Sequence, residues 1–325
     1  MVAGRRHERG LVERTLRAAL HAGGPWGLLA GLTASALTLG GLPLMVSMWP
    51  GESASSLKVT GRPADTVSRI LSVNLTSDEI LLALAPERII GVSSLADDPR
   101  VSNVVRKASL LSTKITGHIE QVLVADPSLV VLGAHSADLA RQVGEFGIRV
   151  MVLSGYESLD WIRTVIRTLG REIKASDEAE TLISAMDKRI QAVANRVDGR
   201  PRPLVLSYSE SGYVPGARTT MDEVIRLAGG NNLSGQLGFE GWQVLSQEQV
   251  VLRDPEVILL RSDTAGEEDF RREFVANPAF RGLRAVRDGR VYTIPGRLMV
   301  TSSHYIAETI EQVARVLHPE AFAGQ

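Results

Sequence analysis

Serine, histidine and aspartate are all present in this chain of 325 residues, so a hydrolytic triad is the first chemistry to weigh. A nucleophilic serine of that kind sits on a sharp Gly-x-Ser-x-Gly turn that lifts its hydroxyl clear of the backbone. Ser154-Gly155 and Ser209-Glu210-Ser211-Gly212 do not match that turn. His118, His135 and His304 fall at loop or helix edges, with no His-x-x-x-His pair or His/Asp cluster at ligand spacing. Cysteine is absent, which removes disulfides, thiolate metal sites, cysteine nucleophiles and the acylated cysteine of a bacterial lipoprotein. Gly229-Gly230 follows its helix, where glycine ends helices, whereas phosphate is held at a helix N-terminus. These residues therefore name no catalytic group, no metal site and no cofactor.

The aromatic residues say more. They make up 5% of the chain, yet Tyr156, Tyr208, Tyr213, Phe239, Trp242 and Tyr305 fall in or beside loops that follow expected strands. Aromatic side chains in loops supply broad, rigid contact area for a flat ligand. Filling gaps in a core is the competing reading of each one singly, and it is weaker for the group. Two glutamates also stand out. Glu120 opens the stretch 120–132 and Glu248 opens its counterpart 248–260, each reading as a short helix, an Asp-Pro break and a buried strand. A glutamate in a first helical turn is favoured by the helix dipole. That accounts for each one, but not for their matching placement.

Positioning such residues requires two related α/β units. Short apolar strands alternate with helices from residue 67 to 157 and again from 200 to 318, the pattern of mainly parallel sheets flanked by helices. Between them, residues 158–199 read as helical. They include a long amphipathic helix over Ser176–Val197, roughly 33 Å at ~1.5 Å per residue. One stiff crossing favours rocking or small closure over a wide hinge motion. In parallel sheets, ligands bind beyond the carboxyl ends of the strands. The loops near Thr76, Ser94, Thr116, His135, Tyr156, Tyr208, Tyr213, Trp242, Arg297 and Ser303 are therefore the expected ligand-binding positions. Residues 52–66 read as a linker and 319–325 as a tail.

The first 51 residues bear on compartment. Arg5, Arg6, Arg9, Arg14 and Arg17 precede a stretch from Ala18 to Gly51 without Asp, Glu, Lys or Arg. An apolar run of roughly 20 residues can span a bilayer, and basic residues before it place the N-terminus in the cytoplasm. Residues 1–51 are thus expected to be a hydrophobic helix acting as export signal or membrane anchor. The rest would then be periplasmic or otherwise extracytoplasmic. The formal net charge of -1 gives no global field for nucleic acid.

In order along the chain, Leu71-Ser72-Val73-Asn74-Leu75-Thr76-Ser77-Asp78-Glu79-Ile80, Ile90-Gly91-Val92-Ser93-Ser94, the stretch 120–132, Gly147-Ile148-Arg149-Val150, Leu227-Ala228-Gly229-Gly230-Asn231-Asn232 and the stretch 248–260 resemble the periplasmic substrate-binding proteins of ABC importers for vitamin B12, haem and ferric siderophores. The resemblance covers about 68–318. It implies two α/β lobes joined by one long helix, no catalysis, and delivery of a small metal chelate to a permease dimer. It also implies that Glu120 and Glu248, the positions matching the family's docking glutamates, meet arginines on that dimer. Trp242 aligns with an aromatic lining the cleft of cobalamin-binding members. Residues 113–117 lack the tyrosine of haem-binding members, and Arg218 and Arg297 are candidates for the arginines that usually hold siderophores in the family. The resemblance thus ranks a corrinoid first, a ferric siderophore second and haem third. A membrane-tethered sensor and a hydrolase using the same cleft are the alternatives from other classes.

Overall fold

The computed structural model describes residues 57–61, 67–155, 158–261 and 267–323. The N-terminal apolar segment expected over 1–51 lies outside the described residues. Among them no helix is long and apolar enough to cross a membrane.

The first sheet has six strands: β1 (Lys58–Thr60), β2 (Ile70–Ser72), β3 (Ile89–Ser93), β4 (Thr113–Ile115), β5 (Leu129–Gly133) and β6 (Arg149–Leu153), in the order β1-β6-β5-β2-β3-β4. All neighbours are parallel except β1, which runs antiparallel to β6. Four helices lie in the connections: α1 (Leu75–Leu84), α2 (Val105–Ala108), α3 (Ile119–Ala125) and α4 (Ala137–Glu145). Two further helices, α5 (Leu159–Glu172) and α6 (Ser176–Val197), lead to the second sheet.

That sheet is parallel throughout, ordered β12-β11-β7-β9 from β7 (Leu204–Ser209), β9 (Asn231–Asn232), β11 (Val257–Arg261) and β12 (Val291–Thr293). An antiparallel hairpin, β8 (Tyr213–Pro215) with β10 (Trp242–Val244), stands beside it. The helices are α7 (Thr220–Leu227), α8 (Leu233–Gln236), α9 (Gln247–Arg253), α10 (Glu267–Ala276), α11 (Arg284–Arg287), α12 (Gly296–Met299) and α13 (Ile306–Leu317).

Strand alternation divides the interior into three layers. Leu129 and Val131 of β5, and Val257 and Leu259 of β11, enter one continuous core that also takes in α5, α6, α7 and α13. Val130 and Leu132 face a second core under α3 and α4. Ile258 and Leu260 face a third, with Phe274 and Phe280. The two sheets therefore share buried apolar surface as well as a connecting helix.

Two elements differ from the expectations. Residues 58–60, expected in a linker, form β1. Its side chains are exposed, and it is held by backbone pairing, so no apolar pattern marks it. Ser77, which precedes the apolar run 79–84 and so reads in sequence as a helix cap, lies inside α1. The cap is Asn74, whose Oδ1 accepts the Thr76 N–H at 3.0 Å.

Candidate binding site and docking helices

In the first sheet the chain runs from β2 to β3 and β4 on one side, then returns to β5 and β6 on the other. The strand order thus reverses between β2 and β5, and the crevice beyond their carboxyl ends is where open α/β sheets take ligands. Gly133 ends β5 there. A Cβ at Gly133 would lie 2.5 Å from His135 Cε1 and 2.7 Å from Asn74 Nδ2. Glycine is what lets the imidazole lie over this corner beside the cap residue of α1. His135, Ser94 after β3 and Thr116 after β4 are all exposed at the carboxyl edge. Thr116 N–H and Oγ1 both donate to Gln121 Oε1, at 2.9 and 3.1 Å. Thr76 is buried in the first turn of α1. Asn74, in the loop expected near Thr76 but not itself among the expected ligand-binding positions, is partly exposed at this corner. A cap-forming residue directly before an apolar helix was its signal.

On the second sheet, β7 ends at Ser209, whose Oγ accepts the Tyr213 N–H at 2.9 Å and starts β8. Trp242 pairs with Pro215 and Val244 with Tyr213, so these four side chains occupy one face of the hairpin. Three are exposed: Tyr213 at 40%, Trp242 at 52% and Val244 at 58%. The opposite face sends Val214 into the core. Tyr208 belongs to that core and does not line an open surface. It is 6% exposed, packs edge-on to Phe274 at 6.0 Å, and burial pushes its phenol pKa up. Its parity with Leu206 on β7 directs it inward. Tyr156 lies outside the described residues.

Arg297 and Ser303 are engaged in a buried polar cluster between the sheets. Glu79 on α1 is 1% exposed. Its carboxylate accepts from Ser303 Oγ at 2.5 Å, Thr301 Oγ1 at 2.8 Å, and Asn103 Nδ2 and N–H at 2.8 and 3.1 Å. Arg297 donates to Asn103 Oδ1 at 2.8 Å and lies 3.4 Å from Glu308. Burial raises the Glu79 pKa against these hydrogen bonds. Its neighbour Asp78 is fully buried, accepts from Ser93 Oγ at 2.5 Å and Ser93 N–H at 3.2 Å, and is pushed up to about 7, chiefly by burial. His304, beside this cluster, is largely buried. Its Nδ1 has no hydrogen-bond partner, and burial pushes its pKa down to about 4. Among the described residues no group of three or more His, Cys, Asp or Glu is placed to hold a metal. Two open depressions of about 470 Å³, along α5–α6 and beside His318, include none of the expected ligand residues.

The repeated stretches fold alike. Glu120 lies in the first turn of α3 and Glu248 in that of α9, both exposed. Each helix has seven residues and ends on an aspartate in the left-handed region, Asp126 at φ 47° and Asp254 at φ 45°. Pro127 and Pro255 follow, both buried. An arginine covers each turn: Arg69 donates to the Asp126 carbonyl at 2.8 Å, and Arg284 to the Asp254 carbonyl at 2.7 Å. Ser128 Oγ accepts the Arg69 N–H before β2 at 3.1 Å, and Glu256 Oε2 accepts the Leu204 N–H at the start of β7 at 2.6 Å.

The family model for periplasmic binding proteins matches residues 70–298. An uncharacterized ABC transporter substrate-binding lipoprotein of Bacillus subtilis is 24% identical over 78% of this chain and 81% of its own length. The vitamin B12-binding protein of Yersinia pestis is 22% identical over 64% of this chain and 74% of its own. The periplasmic heme-binding protein RhuT of Roseiflexus superposes with a TM-score of 0.67 at 22% identity, over 78% of this chain and 99% of its own. Two mainly parallel sheets bridged by one long helix and a family match across most of the chain agree: the chain belongs to the periplasmic binding protein family, the solute-binding components of ABC importers.

Proposed function

We propose that this chain captures a flat metal chelate, a corrinoid in the first instance, at the carboxyl edges of its two sheets and delivers it to the permease dimer of an ABC importer. The observation that carries the reading is the hairpin face on which Tyr213, Trp242 and Val244 are all exposed. Leaving two aromatic rings and an isopropyl group side by side in water is unfavourable by ~25 cal/mol per Å². A macrocycle laid on them removes that cost. His135, Ser94 and Thr116 supply polar contacts to its rim, and an imidazole nitrogen suits the axial position of a bound cobalt or iron. The commitment of Arg297 to Asn103 and Glu308 weighs against an anionic siderophore, and residues 113–117 lack a tyrosine for haem iron. The role is capture and release, without a reaction. Glu120 and Glu248 dock on cations of the permease, and residues 1–51 export or anchor the chain.

Titration of the purified protein with cyanocobalamin, haemin and a ferric hydroxamate, followed by visible absorption, tests the cargo. Cyanocobalamin is expected to bind below about 10 μM, roughly -7 kcal/mol, with Trp242→Ala weakening it about tenfold. Binding of none of the three removes the metal-chelate reading. Joint Glu120→Ala and Glu248→Ala substitution is expected to abolish uptake and leave this affinity unchanged. Normal uptake by that variant removes the docking assignment.

A further inference from the structure

In the two repeat copies, every inward position has the same task. Val122 and Val250 are both fully buried, both prolines are buried, and both aspartates make the left-handed turn. The outward positions also correspond. Val124 lies four residues after Glu120, and Leu252 four after Glu248, so each stacks on the same helix face as its glutamate. Val124 is 87% exposed and Leu252 is 76% exposed.

A single exposed aliphatic residue is ordinary, and Leu110, 84% exposed outside the repeat, is one such. Two at equivalent places, each beside an equivalent exposed carboxylate, repeat the same mixed patch once in each copy. A body with two equivalent patches fits a partner that also presents two, which is what a two-fold dimer does. A second copy of this chain is disfavoured, because like patches would bring glutamate against glutamate on desolvation.

We propose that Val124 and Leu252 are paired apolar contact points which, with Glu120 and Glu248, seat this chain on a two-fold-symmetric integral-membrane dimer. Each aliphatic side chain enters an apolar depression next to the cation that meets its glutamate. This rests on the importer role proposed above and adds the second half of the recognition. The charge pairs orient the encounter, and the buried aliphatic groups slow dissociation. The arginine-covered turns behind the helices hold both patches fixed, so little ordering is needed on contact.

The test places a benzophenone amino acid at 124, at 252 or at 110 of the full chain in cells of the source organism, followed by ultraviolet cross-linking. Adducts from 124 and 252 to the same integral-membrane protein, and none from 110, are expected. Adducts to a second copy of this chain, adducts equally from 110, or no adduct from either repeat position overturn the proposal.

Uptake of radiocobalt-labelled cyanocobalamin separates this inference from the reading beneath it. Joint Val124→Ser and Leu252→Ser substitution is expected to lower uptake about tenfold at limiting protein, since burying one such side chain changes affinity by at least that factor, while cyanocobalamin affinity is unchanged. If that variant transports normally and the Glu120→Ala, Glu248→Ala variant does not, the apolar contacts are wrong and the docking glutamates stand. If both transport normally, the docking assignment fails as well.

Discussion

Asp78 carries the sharpest consequence of a single residue in this molecule. Burial pushes its pKa from an ordinary 3.8 to about 7, so the folded state holds a proton there that the unfolded chain has lost. The resulting stability is fully present below about pH 4 and is lost as pH rises through about 7. By linkage the loss is on the order of 4 kcal/mol. Asp78→Asn keeps an acceptor for the Ser93 N–H and removes the charge. Urea unfolding at pH 5 and pH 8 is expected to show a much smaller pH-dependent loss in the variant than in the parent; equal losses would refute the assignment. Neither this acid nor Glu79 was legible in the sequence as a buried group. Both look like ordinary first-turn acids, and the Thr301 and Ser303 hydroxyls that hold Glu79 lie 222 and 224 residues away. Tyr208 and Trp242 looked alike in sequence, each close to a strand end. Parity with Leu206 sends one into the core, and hairpin register leaves the other exposed.

Among the elements, the two seven-residue helices were the most legible. Their Asp-Pro breaks and apolar strands announce helix, turn and buried strand twice over. The hairpin and β1 were not, because strands of three residues are too short to display alternation, and β1 and β10 bury no side chain at all. The helix ends make a paired test. Asp126 and Asp254 both occupy the left-handed region, where glycine is unstrained. At Asp126 the arginine contacts go to main-chain carbonyls, so Asp126→Gly is expected to change stability by less than about 0.5 kcal/mol. Asp254 also accepts the Arg284 N–H through Oδ1 at 2.7 Å and Arg284 Nε through Oδ2 at 2.9 Å. Asp254→Gly is therefore expected to cost about 1–2 kcal/mol. Denaturant unfolding of the two variants compares them directly, and equal costs would show that the side-chain bonds contribute nothing.

At the scale of the whole molecule, two sheets, a bridging helix and their order were readable from alternating strands and helices. What ties the sheets together was not. The central core runs through both, and Glu79 joins α1 to the loop before α13 through hydrogen bonds with Thr301 and Ser303. Such a joint favours small closure over a wide swing. Glu79→Ala leaves the Thr301 and Ser303 hydroxyls and the Asn103 amide without their acceptor, and is expected to cost about 3 kcal/mol. Glu79→Gln keeps one acceptor oxygen and is expected to cost less. If the alanine variant unfolds at the parent's denaturant midpoint, the cluster does not couple the sheets.

The short strand β1 has a bearing on how this protein keeps to itself in solution. It pairs Thr60 with Val150, Val59 with Met151 and Lys58 with Val152, occupying the open side of β6. A chain trimmed to begin at residue 67 would leave those main-chain donors and acceptors bare on an apolar strand, a ready template for another molecule. It would also lose Lys58, whose charge makes the native border a poor site for strand addition. Such a trimmed chain is expected to self-associate as its concentration rises, while a chain that begins at residue 57 and so keeps β1 stays monodisperse under the same light-scattering measurement. Three residues that bury no side chain thus act as a guard against strand-to-strand aggregation.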